Sequence, residues 1–442
     1  MPTSGIMSAT WCYMLQRDNS GASTSRRLLF IVRGAADVDN IAPVIWACSR
    51  EQRPVVVVMT SSRAKQLVTT TPWITEATNI TLIESLTDDE PRSLRTRLRR
   101  LLHHRAAARR LLTRYAVGLL CVEWGELPRR ESGPILMRVR RWLLNDVVSQ
   151  LKYAAQDLGL PLVAVPHGHS TKTVMIRSEH VERIMAHNSG KLPFADRDAY
   201  DAYVFASAYH RDAILAQSTM VGGNAKVWGS ARFNDLWVPR LYAQASTWTP
   251  PDTARGRRIA LFFVPKWNNL VNRQATLELM AEIARSAVLH LVIRGHARES
   301  DSGLSSDECR SLQATGNVTI VSGAMSSASL ISGCDVLVDI DSSIAFDAVI
   351  LEKPYVRPRY LQDASVTTIW DDLGGAHQTD SASATIGLLE SARLTVAPRD
   401  LSFADVVFGG RGHEVLDRYQ KELWSLVDGP ASNHSASTTA SE

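Results

Sequence analysis

Five short blocks of this chain bring together residue types that bind phosphate or move protons, and each follows an apolar run. The first is Val165-Pro166-His167-Gly168-His169-Ser170. An imidazole titrates near neutral pH, so His167 suits general-base work on a hydroxyl group. Gly168 lets backbone approach a ligand closely. The bland alternative is a structural loop histidine. His167 and His169 could begin a metal site, but no third ligand stands at a suitable spacing, so none is assigned. The second block, Val227-Trp228-Gly229-Ser230-Ala231-Arg232-Phe233-Asn234-Asp235, either offers Arg232 to a cleft or is a turn whose Asn and Asp cap the next helix. In the third, Val264-Pro265-Lys266-Trp267-Asn268-Asn269, Lys266 can neutralise a phosphate and Trp267 can wall a cleft. It also reads as an ordinary strand-to-helix loop.

The fourth block is Val292-Ile293-Arg294-Gly295-His296. A guanidinium grips phosphate oxygens in pairs, and His296 can donate to a diphosphate oxygen; a surface turn is the alternative. The fifth is Asp339-Ile340-Asp341-Ser342-Ser343-Ile344-Ala345-Phe346-Asp347. Ser342 and Ser343 at a helix start can cradle phosphate, or one of them can simply cap the helix. Asp339 and Asp341 also spell a D-x-D pair. That pattern marks metal-dependent transferases whose nucleotide domain comes first, whereas here it lies in the last third, so it is read as incidental.

Residues so far apart need a scaffold that gathers strand ends. Short β-branched runs at Arg27–Arg33, Pro54–Thr60, Thr81–Ser85, Val117–Val122, Pro161–Pro166, Ala202–Ala206 and Ala225–Trp228 alternate with helical patterns, including Val38–Glu51 and a long one at Leu136–Leu158. After Ser246–Arg258, rich in Pro, Gly and charge, the theme restarts. Strands are expected at Ile259–Val264, His290–Arg294, Asn317–Val321 and Asp335–Ile340, and helices at Gln274–Ala287 and from Ser343. Such alternation predicts parallel sheets covered on both faces, with ligands at the carboxyl ends of the strands. Two doubly wound, Rossmann-like α/β domains facing a central cleft are the natural packing. The expected organisation is a disordered segment over 1–25, a first domain over 26–245, a linker over 246–258 and a second domain over 259–407. A C-terminal helix over 408–427 and a disordered tail over 428–442 complete it.

The 442 residues, 45% hydrophobic and 21% charged, suffice for two cores. A net charge of +4 does not imply nucleic acid, and none is assigned as partner. Five scattered cysteines favour a reduced compartment over a disulfide framework. Met1–Ser25 lacks the pattern of a secretory leader, and no apolar run reaches the length of a membrane span. Pro91–Tyr115 is arginine-rich without an acid, with leucines at roughly helical spacing. It reads either as a solvated basic face over a core-facing stripe or as a helix (Arg92–Arg114) that touches an anionic membrane surface or a polyanionic acceptor.

The order of the blocks is more informative than any one of them. H-G, then G-S-x-R-F-N-D, P-x-W, R-G-H and D-x-S-S-x-x-F-D with K-P resembles the CDP-glycerol glycerophosphotransferase group and related capsule and surface-polysaccharide glycosyltransferases. The likeness spans Pro161 to Tyr360, with an echo at Phe408–Leu423. Ala231, Lys266 and Ile340 depart from the pattern, standing for proline, threonine and tyrosine. The resemblance implies the GT-B architecture and a nucleotide-activated donor bound in the cleft. It implies His167 and His296 as catalytic residues, and Arg294, Ser342, Ser343, Lys266, Arg232 and Asp347 as donor-binding residues. It further implies a cytoplasmic transferase, peripheral at the inner membrane face, without cofactor or metal. That enzyme would move a glycosyl or polyol-phosphate group to a polymer or lipid-linked acceptor such as a surface polysaccharide or teichoic acid. Two alternatives stay open: a non-hydrolysing nucleotide-sugar 2-epimerase, for which no clear set of acid/base carboxylates stands out in the sequence, and a non-catalytic polymer-binding paralogue.

Overall fold

The computed structural model describes residues 25–69, 71–84, 105–127, 147–166, 168, 179–244, 248–295, 303–321, 326–340 and 342–429. Two parallel sheets carry the fold. The first holds β1 (Arg27–Val32), β2 (Val55–Met59), β3 (Ile80–Glu84), β4 (Val117–Glu123), β5 (Leu162–Val165), β6 (Ala202–Phe205) and β7 (Ala225–Val227). Its order is β3-β2-β1-β4-β5-β6-β7. The second holds β8 (Arg258–Phe263), β9 (Leu289–Arg294), β10 (Val318–Val321), β11 (Val336–Val338), β12 (Tyr355–Pro358) and β13 (His377–Thr379), in the order β10-β9-β8-β11-β12-β13. Both are doubly wound Rossmann-like orders that reverse beside their first strand, so each sheet has a switch point, at β1/β4 and at β8/β11.

Alternation along each strand feeds two cores. On β1, Leu28, Phe30 and Val32 face one apolar cluster and Leu29 and Ile31 the other. On β8, Ile259, Leu261 and Phe263 face one cluster and Ala260 and Phe262 the other. Strands buried on both faces read as continuous apolar runs, which is why these were legible. β12 and β13 were not anticipated. Their sequences, YVRP and HQT, carry a charge, a proline and polar side chains; β12 is buried throughout, and β13 is buried at Thr379.

The stretch expected as a linker is partly anchored. Trp248 is buried in a core of the second sheet, and Asp252–Ala254 form a short 3-10 turn. Of the long helix expected over 136–158, the part within the described residues is Val147–Asp157. The C-terminal region is two helices, Phe403–Phe408 and Glu414–Asp428, rather than one from residue 408. The second returns to the first sheet. Val415, Leu416, Tyr419, Leu423, Trp424 and Val427 join that sheet's core, and Arg53 lies 3.7 Å over the Trp424 ring.

The chain therefore passes between the sheets twice, once after β7 and once after Phe408. The two passages are bound together: Ser230 N–H donates to Phe408 O (2.7 Å), and buried Asn234 donates to Arg411 O (3.1 Å) and to Gly412 O. Gly409 has φ +66°, and a Cβ there would collide with the Ala206 carbonyl oxygen. Only glycine lets the second passage run this close to the end of β6.

In the basic segment, residues 105–114 are helical and bury Ala107, Ala108, Leu111 and Leu112, while Arg109, Arg110 and Arg114 are exposed. Arg105 pairs with Asp157 at 2.5 Å. The described part thus matches the core-facing stripe with a solvated basic face; Arg92, Arg95 and Arg99 lie outside the described residues. Among the described residues no helix is long and apolar enough to cross a membrane.

Candidate active site

The carboxyl ends of both sheets meet at the junction. Helix Ala35–Arg50 begins just past β1, and helix Ala345–Ile350 just past β11. Arg232, from the first passage, spans them: Nη2 lies 2.7 Å from Asp347 Oδ2 and Nη1 3.6 Å from Asp39 Oδ2. The Tyr242 hydroxyl donates to Asp347 Oδ1 at 3.0 Å. Burial works against the Arg232 charge, but Asp347 and Asp39 outweigh it and raise its pKa. Burial and Asp347 raise Tyr242. Burial also raises Asp39, against the pull of Arg232 and with a further push from Asp347. Its side chain keeps 42% of its surface, so solvent screens much of this. Arg232 and Asp347, both expected to contact a donor, are thus each other's partners.

At the first switch point, buried Glu123 ends β4 and receives Arg33 Nη2, which follows β1. Asp37, in the first turn of the Ala35–Arg50 helix, accepts the backbone N–H of Arg33 at 2.5 Å and of Gly34 at 3.3 Å. Its Oδ2 lies 3.7 Å from Arg33 Nε. Two carboxylates therefore share one guanidinium where a ligand in such a fold would sit. Asp39 is two residues further along the same helix, about 200° around it, and so faces the Arg232 group instead.

At the second switch point the groups are cationic and hydroxylic. Val264 N–H donates to Arg294 O at 2.9 Å, tying the loop that carries Lys266 to the end of β9, which carries Arg294. Across the crevice, buried Asp339 directly follows β11, and its Oδ2 accepts Ser342 N–H at 2.8 Å. Ser342 Oγ accepts Ile344 N–H at 3.2 Å, and Ser343 follows in the same turn. Lys266, Arg294, Ser342 and Ser343 thus come from strand ends that the sheet order places side by side.

His167, His169, His296 and Asp341 lie outside the described residues. Gly168 has φ +154°. Among the described residues no group of three or more His, Cys, Asp or Glu could hold a metal ion. The carboxylates Asp37, Asp39 and Glu123 had escaped the sequence reading. Glu123 looks like the edge of the run Val117–Val122, and its partner Arg33 is 90 residues away. A charged residue closing an otherwise buried strand was the available signal.

No protein-family model and no curated protein sequence matches this chain. Solved structures do match its fold. A 2.2 Å structure of a putative UDP-N-acetylglucosamine 2-epimerase from Listeria monocytogenes matches with TM-score 0.58 and 12% identity, over 91% of this chain and 96% of that one. The UDP-GlcNAc 2-epimerase of Neisseria meningitidis bound to UDP-GlcNAc matches with TM-score 0.54 and 11% identity, over 91% and 99%. S. aureus MnaA with UDP matches with TM-score 0.54 and 10% identity, over 90% and 96%. At these identities the likeness establishes the fold, the GT-B-like pairing of two Rossmann-like domains.

The transferase expectation is corrected by these matches. They include UDP-GlcNAc 2-epimerases from L. monocytogenes and N. meningitidis, and these matches do not support CDP-glycerol, teichoic-acid or capsule chemistry. The physical reason lies in the blocks that carried the resemblance. Where described, they occupy strand ends and the interdomain passage, positions that this fold brings together whatever reaction it hosts. The polymer or lipid-linked acceptor is withdrawn with the transfer reaction, and the membrane partner has no support.

Proposed function

We propose that the protein is a nucleotide-sugar 2-epimerase, acting on a UDP-N-acetylhexosamine or a close relative without transferring it to an acceptor. The observation that carries this reading is the pairing of an acid-rich carboxyl end on the first sheet (Arg33, Asp37, Glu123) with a cationic and hydroxylic one on the second (Lys266, Arg294, Ser342, Ser343). The structural neighbours include proteins solved with UDP and with UDP-GlcNAc, which supports a nucleotide sugar as the ligand class.

Inverting C2 of a sugar requires removing its hydrogen and returning one to the other face. That hydrogen is not acidic by itself. Its loss becomes feasible when the C1–O bond to the diphosphate breaks in the same event. The base takes the proton, the C2–H electrons form a C1–C2 double bond, and the nucleoside diphosphate leaves with the C1–O pair. Re-addition, with a proton delivered to the opposite face, completes the inversion. Glu123 and Asp37 are the proposed proton-handling pair, gathered by Arg33. Arg294 and Lys266, with the Ser342 and Ser343 hydroxyls, stabilise the charge that gathers on the departing diphosphate. His296, next but one after Arg294, is proposed as a further diphosphate ligand, and His167 as a sugar-side group beside Gly168. The Arg232–Asp347 pair is proposed to hold the two domains in register.

Incubation with UDP-GlcNAc in deuterium oxide, followed by proton NMR, tests the reading. Solvent deuterium should enter C2, and signals of the manno epimer should grow, without any acceptor. If neither happens overnight at near-stoichiometric enzyme, the epimerase reading falls.

A further inference from the structure

On β12, Tyr355 and Arg357 are two residues apart and so face the same side of the sheet. Both are essentially without solvent exposure. The Tyr355 hydroxyl donates to the Asp339 carbonyl at 3.3 Å, and Arg357 Nε donates to the Ile340 carbonyl at 3.4 Å. The remaining Arg357 nitrogens reach Gln378 Oε1 (2.7 Å), Gln362 Oε1 (2.8 Å) and Asp371 Oδ1 (3.4 Å). A fully buried guanidinium with mostly neutral acceptors is an expensive way to pack a strand end. An apolar residue would serve stability equally well or better, and nothing in the proposed chemistry uses this cation.

What Arg357 does is visible in where the carbonyls go. Asp339 and Ile340 follow the end of β11 at Val338; continued as an extended strand, they would send their carbonyls alternately toward the two neighbouring strands. β11 lies between β8 and β12. Here the carbonyls of Asp339 and Ile340 are both bound by donors from β12. The negative ends of two consecutive peptide dipoles are therefore engaged by β12 side chains rather than left free beside the crevice between β8 and β11, which is the crevice that Lys266 and Ser342 border. Left free, a carbonyl turned toward that crevice would repel a phosphate oxygen.

We infer that Tyr355 and Arg357 are positioning residues for the diphosphate end of the site: from beneath, they turn the backbone at Asp339 and Ile340 so that the crevice accepts an anion. The inference rests on the nucleotide reading above and adds residues that would not touch the ligand.

The test compares UDP with uridine, since only UDP depends on the anion-accepting crevice. Affinities are measured by calorimetry for UDP and by ligand-observed NMR for uridine, on wild type, Tyr355→Phe, Arg357→Met and Arg357→Lys. Loss of the single neutral hydrogen bond in Tyr355→Phe should weaken UDP roughly five-fold, and Arg357→Met about 10- to 100-fold, with uridine unchanged. Arg357→Lys should recover part of the loss. Should Arg357→Met not fold, Tyr355→Phe, which removes one oxygen atom, decides the matter. An unchanged UDP-to-uridine affinity ratio in a folded Tyr355→Phe protein overturns the inference while leaving the nucleotide site standing. Absence of UDP binding to wild type overturns both.

Discussion

The two switch points share a topology and differ in chemistry. Beside β1 and β4, Glu123 and Asp37 converge on Arg33. Beside β8 and β11, Lys266 and Arg294 come from strand ends that neighbour the one leading to Ser342 and Ser343, with the buried carboxylate of Asp339 accepting Ser342 N–H of its own loop. The sheet order decides where a ligand lies, and the residue that closes each strand decides which part of it can be handled there. An acid-rich end suits moving protons on an uncharged sugar, and a cationic end suits holding diphosphate. The difference teaches that a doubly wound domain is specialised at a few strand-end positions.

The sharpest way to break this contrast is at Glu123. Glu123→Gln should lower turnover of UDP-GlcNAc by about 10²–10⁴-fold, the usual range for losing a proton-transfer group, while UDP affinity stays near wild type. A variant that instead loses UDP affinity would put diphosphate at the first sheet and reverse the assignment. Next in size is the tie between the two ends. Arg232→Ala leaves Asp347 buried without its cation and should cost about 3 kcal/mol of stability. Adding Asp347→Ala to that variant should cost little more, because the pair acts as a unit. Thermal unfolding of the two single variants and the double variant reads this coupling, and fully additive losses would show that the pair does not join the domains.

Arg294→Ala tests the cationic end. It should weaken UDP by about 10- to 100-fold, corresponding to about 1.5–3 kcal/mol for a charge-assisted hydrogen bond, with uridine little affected. The smallest expected effect is on pH dependence. Asp39 is raised in the folded protein, so the folded state binds its proton more tightly than the unfolded chain. Its contribution to stability is therefore full below the ordinary carboxylate range and is lost as pH rises through the folded value. Asp39→Asn should raise the melting temperature slightly at pH 7 relative to wild type, and not at pH 3.5. A larger gain at the acidic pH would mean that the pull of Arg232 dominates instead.

How much of this was legible depended on what each residue is buried against. Strands such as β2 (VVVVM) and β8 (RIALFF) announce themselves because both faces are covered. β12 does not, since Arg357 looks like a surface residue until the acceptors from Gln362 and Gln378 are seen around it. Arg294, Lys266 and the Ser342/Ser343 pair were singled out as candidates because phosphate-binding types cluster locally in sequence, and their role belongs to the proposed function. The carboxylate pair was not, because Asp37 and Glu123 meet only through the β1–β4 neighbour relation. That gap also bears on the transferase reading that the fold matches overturn: Asp37 and Glu123 come together only in three dimensions, so the 2-epimerase alternative showed no acid/base carboxylates in the sequence. Arg232 was read as facing the cleft and binding a donor; in the structure it pairs with Asp347.

The return of helix Glu414–Asp428 to the first sheet sets a schedule for synthesis. Domains generally begin to fold as they emerge, at about 5–20 residues per second, amino-terminal first. Here the first domain cannot complete its core on that timetable. Asp428 comes 184 residues after Gln244, the end of the helix after β7. At that pace the face awaiting Leu416, Leu423 and Trp424 stays uncovered for roughly 10–40 s while the second domain is made. During that interval the nascent chain presents an apolar groove of its own, which a chaperone, or the same groove on a neighbouring nascent chain, can occupy before the helix arrives.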